Sequence, residues 1–163
     1  MIFIAVGTQK FPLNRLFEDV DSMMEQNLIN EPVFAQIGTS SYCPKHFEYT
    51  DYMNPQEFEK KIDESDLIIT HSGVGTIIDA IKKGKHVVVY PRLSKYGEHV
   101  DDHQLEIAES FENMELVVCC RENDSLAEKI ELARKGKRKA FVSCKQNHIR
   151  TIRNFIENEV KPK

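Results

Sequence analysis

Five short runs in this sequence are apolar at nearly every position rather than at every second one, which is the pattern of a strand buried on both faces. The runs are residues 2–6, 33–37, 67–70, 87–90 and 116–120. Segments with apolar residues at helical spacing separate them, as in residues 13–24. Because strands alternate with helices, the sequence predicts one α/β domain over residues 1–163, with a doubly wound, mostly parallel, Rossmann-like sheet.

Local signals mark the ends of these elements. Gly7 and Gly38 end the first two strands, and Gly84 ends the helix that follows the run at 67–70. Residues 54–57 (Asn-Pro-Gln-Glu) and 125–128 (Ser-Leu-Ala-Glu) have the form of helix starts. A short strand is expected at residues 48–53, directly before the first of these helix starts.

Composition excludes several classes of function. The 163 residues carry a net charge of −4, which gives no argument for a nucleic-acid partner. No stretch has the apolar length of a membrane span, and the first residues lack the basic start of a signal peptide. The four cysteines have no CxxC spacing, so we expect free thiols and a cytoplasmic protein.

Two features near the end of the sequence each allow two interpretations. The basic stretch at residues 134–139 is either a solvated loop between helices or a contact for anionic lipid headgroups. An amphipathic helix is expected at about residues 144–160. Its apolar side either packs on the domain's own core or docks a partner.

Polar, glycine-containing stretches follow three of the predicted strands, at residues 7–9, 71–76 and 92–104. Ligands of open parallel sheets bind beyond the carboxyl ends of the strands, so we expect the three stretches to meet at one edge. In the middle stretch, Gly73 and Gly75 allow a tight turn, and Thr76 is expected to open a helix whose free N–H groups favour a phosphate. Asp79 follows one turn later, within reach of a ribose diol. An ordinary tight connection between strand and helix is the alternative.

The third stretch carries side chains that suit sugar hydroxyl groups. They are Glu98, His99, Asp102, His103 and Gln104. The alternative is a solvated loop in which Asp101 or Asp102 caps a helix.

No metal site is expected. His99 and His103 stand four apart beside Asp102, but a helix holding both would have to begin before Asp101, and no further ligand is obvious. Residues 19–21 (Asp-Val-Asp) have the form of a DxD metal motif. Since Val20 belongs to an apolar helix stripe, we interpret the two acids as the solvated flanks of that helix.

A dinucleotide-dependent oxidoreductase is disfavoured. No GxGxxG motif follows the first predicted strand, and no acidic residue ends the second predicted strand.

Together these motifs resemble the donor-binding half of family 28 glycosyltransferases. The resemblance covers residues 1 to about 120 and is carried by 4–9, 71–79, 84–86, 91–92 and 98–104. It is strongest to small stand-alone subunits: the catalytic subunit of bacterial capsular or exopolysaccharide β-1,4-galactosyltransferases and the related subunit of the eukaryotic dolichol-linked N-acetylglucosaminyltransferase. It implies the C-terminal-type half of a GT-B enzyme.

The resemblance also implies roles for individual residues. Gly73, Gly75 and Thr76 would hold the donor diphosphate, and Asp79 would take the place of a glutamate that many relatives place on the ribose. His103 and Gln104 would contact the donor sugar. The rest of the donor-binding set is Gly7, Thr8, His71, Ser72 and Asp102.

The activity implied is inverting transfer of a hexose, with galactose preferred, from a UDP-sugar to a lipid-diphosphate-linked saccharide in polysaccharide synthesis, without a cofactor. A separate membrane-associated subunit would recruit this acceptor at the inner face of the membrane and provide or complete the general base. His99 and Glu98 are the local candidates for that base. The alternatives are an N-acetylglucosaminyltransferase subunit and a non-catalytic, nucleotide-binding accessory subunit.

Overall fold

The computed structural model of the chain describes residues 1–136, in which six strands alternate with five α-helices and one short 3₁₀ helix (Ser94–Tyr96). The strands are β1 (Ile2–Ala5), β2 (Val33–Gln36), β3 (Glu48–Thr50), β4 (Leu67–Thr70), β5 (His86–Val89) and β6 (Val118–Cys119). The helices are α1 (Asn14–Glu25), α2 (Pro55–Glu64), α3 (Val74–Lys82), α4 (His103–Asn113) and α5 (Leu126–Lys135).

The six strands form one sheet in the order β3-β2-β1-β4-β5-β6, and each neighbouring pair is parallel. The chain winds outward from β1 to β3 on one side and then returns to β4 on the other side. This confirms the predicted doubly wound sheet. The winding direction reverses between β1 and β4, which is where such a sheet opens a crevice for a ligand.

Alternate residues of each strand supply two separate cores, because successive side chains of a strand point to opposite faces. In β1, Ile2 and Ile4 pack on the face covered by α1 and α5, while Phe3 and Ala5 pack on the face covered by α2, α3 and α4. Both faces of the sheet are thus buried. The need to bury both faces explains why the runs in the sequence are apolar at nearly every position.

Two of the predicted helix starts have the expected caps. The Asn54 side chain accepts a hydrogen bond from Glu57 N (2.9 Å) while Glu57 accepts one from Asn54 N (3.3 Å), which completes a capping box at α2. Ser125 Oγ accepts a bond from Glu128 N at α5. The start of α3 was predicted wrongly. Gly73 has extended backbone and caps the helix, so α3 begins at Val74, two residues before Thr76.

The end of the described chain corrects one further expectation. Arg134 and Lys135 lie in the last turn of α5 rather than in a loop. The remainder of the basic stretch and the helix expected at 144–160 lie outside the described residues. None of the helices within residues 1–136 is long and apolar enough to cross a membrane.

Candidate functional site

A cavity of about 550 Å³ opens at the carboxyl end of the sheet. It lies beside the neighbouring strands β1 and β4, between which the winding direction of the sheet reverses. Four predicted site residues line it: Gly7, Thr8, Thr76 and Asp79. They come from two stretches nearly 70 residues apart in the sequence, and their meeting confirms that these stretches share one sheet edge. The cavity is also lined by Gln36 of β2, by Met53 just before α2, and by Pro55, Phe58, Glu59 and Ile62 of α2.

The His71 ring lies against two glycines of this site. A Cβ atom on Gly7 would stand 2.7 Å from His71 Cε1, and a Cβ on Gly73 would stand 2.6 Å from the same atom. Gly7 also has a φ of +74°, which disfavours any other residue. The two glycines are therefore required by the imidazole packed between them, and together the three residues form what we call the glycine floor (Gly7, His71 and Gly73).

His71 is an uncharged part of this floor. Burial lowers its pKa to about 4, and the nearby positive charge of Arg92 acts in the same direction. Its Nδ1 atom lies 3.5 Å from the carbonyl oxygen of Ala5. The ring is thus neutral at physiological pH, and it supports the two loops that carry Gly7 and Gly73.

The N-terminus of α3 stands at the edge of the same cavity. Gly73 has no side chain to cap the helix, and no side-chain cap bond is present there. The N–H groups of the first turn have no acceptor within the helix and carry the positive end of its dipole. A Cβ on Gly75 would meet nothing within 4 Å, so the approach to this turn is open. This arrangement suits a phosphate group.

Charged side chains continue along α3 from this turn. Asp79, one turn after Thr76, lines the cavity, and so does Lys83, one turn further. Lys83 Nζ contacts Glu59 Oε1 at 3.0 Å and Asp63 Oδ1 at 2.7 Å, which ties the end of α3 to α2. The sequence analysis missed Lys83 and Glu59, although the i, i+4 spacing from Asp79 would have pointed to Lys83.

Gln104 joins the turn at residues 71–76 to the stretch at 92–104. Ser72 Oγ donates a hydrogen bond to the Gln104 carbonyl oxygen, and Gln104 Oε1 accepts one from Arg92 N at 3.2 Å. Both Ser72 and Gln104 are buried. The two stretches therefore lie side by side, as the prediction of a single site requires, although Gln104 has its amide oxygen committed to the protein itself.

Arg92 is the largest side chain that is fully buried in the described chain. Its Nη2 donates to the Val6 carbonyl oxygen at 2.7 Å, and its Nη1 donates to the carbonyl oxygens of Phe11, Pro12 and Glu98. Burial lowers its pKa to about 10, with Glu98 acting in the opposite direction. The sequence analysis noted Arg92 as part of a motif but gave it no role, because its partners lie up to 86 residues away.

The two predicted base candidates have different surroundings. The Glu98 carboxylate is buried and accepts hydrogen bonds from Arg15 Nε (3.1 Å), Arg15 Nη2 (2.9 Å) and Leu93 N (2.9 Å). These bonds favour a structural role for Glu98. The His99 ring packs beside Phe11, its Nδ1 lies 3.0 Å from Asp101 Oδ1, and 17% of the side chain is exposed. His99 is thus the more accessible candidate.

Asp102 and His103 lie at the exposed start of α4. Asp102 Oδ1 accepts a hydrogen bond from Ser94 N at 2.8 Å, which lowers the pKa of this carboxyl group. Asp102 holds the N-cap position but makes no side-chain cap bond, so its side chain ties the preceding loop instead of the helix. His103 Nδ1 lies 3.1 Å from Glu106 Oε2. Within residues 1–136, no three His, Cys, Asp or Glu side chains are grouped to hold a metal ion.

The interpretation of Asp19 and Asp21 as solvated helix flanks is wrong for Asp21. Its carboxylate is buried and accepts hydrogen bonds from Tyr42 Oη at 2.7 Å and from the N–H groups of Lys45 and His46. Asp19 is exposed but accepts a bond from Tyr90 Oη at 2.7 Å. Asp21 therefore fastens the loop at residues 42–46 to α1.

The fold is similar to that of several solved structures. An NMR structure of ALG13 superposes with a TM-score of 0.57 at 17% identity, covering 93% of both chains. MurG of *Acinetobacter baumannii* gives 0.53 at 20% identity, over 83% of this chain and 41% of MurG. A glycosyltransferase of kitacinnamycin gives 0.58 at 20% identity, over 81% of this chain and 34% of that enzyme.

Sequence comparison identifies the family. Two curated relatives are both described as UDP-N-acetylglucosamine transferase subunit ALG13. The protein of *Yarrowia lipolytica* is 32% identical over 80 residues (49% of this chain), and the human protein is 28% identical over 117 residues (68% of this chain). The chain covers only 36% and 10% of their lengths. The family model for the glycosyltransferase family 28 C-terminal domain matches residues 1–158, so the chain belongs to this family.

Proposed function

We propose that the cavity beside the glycine floor binds the UDP part of a nucleotide-sugar donor, and that the chain is the donor-binding subunit of a glycosyltransferase. One observation carries this proposal. Gly7, Thr8, Thr76 and Asp79 line one cavity at the switch point of the sheet. That is where a doubly wound sheet binds nucleotides, and the residue types match the parts of a nucleoside diphosphate.

The parts of UDP fit the cavity in order. The diphosphate lies over the glycine floor, at the N–H groups of the first turn of α3. The ribose diol then comes opposite Asp79, one helical turn further along, where a carboxylate accepts two hydroxyl bonds. The uracil ring takes the apolar side of the cavity, which Met53 and Phe58 line. Lys83 and Glu59 close the cavity beyond the ribose.

Transfer proceeds with inversion, by attack of an acceptor hydroxyl on the anomeric carbon of the donor sugar. The bond to the diphosphate breaks, and the developing negative charge on UDP is stabilised by the helix terminus, which is already oriented before the reaction. A general base takes the hydroxyl proton. We assign it to the partner subunit that binds the acceptor, with His99 as the candidate on this chain because its ring remains partly exposed.

The names of the relatives support N-acetylglucosamine as the donor sugar. The resemblance in sequence favoured galactose and a role in capsule synthesis, whereas both curated relatives described above are UDP-N-acetylglucosamine transferase subunits. We therefore propose transfer of N-acetylglucosamine to a lipid-linked acceptor. The word "subunit" in those names also supports a second, acceptor-binding chain, through which the protein would work at the membrane.

Sugar transfer in the assembled enzyme tests this proposal. The chain is purified with the partner that co-purifies from its host and is given labelled UDP-N-acetylglucosamine or UDP-galactose with host lipid extract. We expect label from UDP-N-acetylglucosamine in the lipid fraction, lost in Asp79→Ala and retained in Glu131→Ala, an exposed acid on α5. Transfer from UDP-galactose alone would refute the proposed sugar. Full transfer by Asp79→Ala would refute the proposed site.

A further inference from the structure

We propose that Arg92 is a positioning residue of the donor site, which holds the loop after β1 in place and supplies a buried positive charge behind the glycine floor. The inference rests on the proposed function, since it assigns Arg92 to the binding of the donor diphosphate. Arg92 is 1% exposed and does not line the cavity, so it acts through the residues that do.

The Arg92 side chain connects the two ends of the loop that follows β1. Its Nη2 holds the carbonyl oxygen of Val6, the residue directly before Gly7. Its Nη1 holds Phe11 and Pro12, at the other end of the loop that carries Thr8. One planar guanidinium thus spans both ends of the loop at residues 7–10. A lysine carries its donors on one nitrogen and lacks the planar fork whose two separate nitrogens reach the two ends of the loop.

The backbone of Arg92 extends this connection to α3. Its N–H donates to Gln104 Oε1 at 3.2 Å, and the Gln104 carbonyl oxygen accepts a bond from Ser72 Oγ. Ser72 directly precedes Gly73 of the glycine floor. Both halves of the floor, the Gly7 side and the Gly73 side, are therefore fixed to the same residue.

Arg92 also places a positive charge in the interior of the protein. The hydrogen-bond partners of the Arg92 guanidinium within residues 1–136 are carbonyl oxygens, and its buried Nε has no partner there. Glu98 is the acid that acts on Arg92, and it already accepts two bonds from Arg15. The charge of Arg92 is consequently only partly balanced, and charges act strongly on each other in such a dry region.

The position of this charge relates it to the glycine floor. Arg92 acts electrostatically on His71, whose ring packs against both glycines, and His71 is itself neutral. A diphosphate over the floor would therefore feel the positive charge of Arg92 from behind, with no intervening charge on the imidazole. Arg92 would favour UDP over uridine, because uridine has no negative charge to attract.

The affinities for ligands with and without phosphate groups distinguish a role of the Arg92 charge in diphosphate binding from a purely structural role. Dissociation constants of uridine, UMP and UDP are measured by NMR titration for the wild type, Arg92→Met, Arg92→Lys and the control Arg134→Met. Arg134 is an arginine whose partner, Glu31, lies just before β2 and therefore at the amino end of the sheet, away from the cavity. Thermal unfolding establishes that each variant is folded.

We expect Arg92→Met to weaken UDP binding at least about tenfold more than uridine binding, since loss of a charged interaction costs 1.4 kcal/mol or more. Arg92→Lys keeps the charge and loses the fork, so it should weaken UDP binding by a smaller factor than Arg92→Met does, without restoring the wild-type affinity. Arg134→Met should leave all three constants unchanged.

Equal weakening of UDP and uridine in Arg92→Met would overturn the charge role, and wild-type affinities in Arg92→Lys would overturn the positioning role. If Arg92→Met does not fold, the same comparison is made with Arg92→Gln, and with Arg92→Lys alone for positioning. A wild type that binds no UDP would refute the proposed function itself. Wild-type binding with an unaffected Arg92→Met would refute only the assignment of Arg92.

Discussion

Alanine substitutions at Gly73 and Gly75 should change stability in opposite directions, although the two glycines are two residues apart. A Cβ on Gly73 would stand 2.6 Å from His71 Cε1 and 2.7 Å from Nε2, while a Cβ on Gly75 would meet nothing within 4 Å. The backbone of Gly73 (φ −71°, ψ 107°) is one that alanine readily adopts. The cost of Gly73→Ala therefore comes from the collision with His71 alone.

The magnitude follows from the lack of space around the ring. His71 cannot retreat from Gly73, because Gly7 packs against the same ring. Overpacking of this kind costs about 1–3 kcal/mol, and with a rigid ring we expect about 2–3 kcal/mol for Gly73→Ala. Gly75 lies within α3, where alanine is better than glycine by about 0.5–1 kcal/mol, so Gly75→Ala should stabilise the protein.

Thermal unfolding followed by circular dichroism measures both effects. At about 2–4 °C per kcal/mol for a chain of this size, Gly73→Ala should lower the Tm by about 5–10 °C and Gly75→Ala should raise it slightly. The double variant His71→Ala/Gly73→Ala isolates the collision. In the His71→Ala background, Gly73→Ala should cost less than about 0.5 kcal/mol, as two residues in contact are non-additive. An equal cost of Gly73→Ala in both backgrounds would refute the reasoning.

Three further predictions concern ionisable groups, each measured as the free energy of unfolding in urea. Burial alone would raise the pKa of Asp21, but bonds from Tyr42 and two backbone N–H groups outweigh it and hold the pKa below its ordinary value. Asp21→Asn should thus cost about 1–3 kcal/mol above pH 5, and this difference should shrink at lower pH as the native carboxyl becomes protonated; a constant difference would contradict it. Burial lowers the pKa of His71 from 6.5 to about 4, so the unfolded state binds the proton of this residue at a higher pH than the folded state does. The wild type should therefore lose stability as the pH falls from 6.5 to about 4. His71→Asn should lack this loss, and an identical pH profile would show that His71 is not buried as described. Glu98→Gln removes the negative charge that pairs with Arg15 and should cost about 2–3 kcal/mol, whereas no cost would return Glu98 to the candidates for the base.

The parts of the fold that sequence reasoning predicted are those decided locally. Strand β4 has the predicted bounds because every residue in it is apolar or small and both faces are buried. The capping box at Asn54 could be predicted because all of its groups lie within four consecutive residues. The start of α3 was misplaced because Gly73 caps it without a side chain, which leaves no polar signal in the sequence.

The parts that sequence reasoning missed depend on contacts between distant segments. Glu98 looked like a free acid in a loop, but its partner Arg15 is 83 residues away. Asp21 looked solvated because its helix position is polar, yet the loop at 42–46 folds over it. Arg92 carried no functional signal because its role comes from carbonyl groups, which every residue has. Such side chains become visible only when the tertiary structure is known.

Binding of UDP at the glycine floor can be tested directly by a ¹H–¹⁵N NMR titration of the isotope-labelled chain. The account predicts that UDP shifts the amide signals of Gly7, Thr8, Gly73, Val74, Gly75, Thr76 and Asp79, while those of α5 at the sheet's far face stay in place. Gly73→Ala should abolish these shifts at the same UDP concentration. Saturable shifts centred on any other surface, or none at millimolar UDP, would contradict the account.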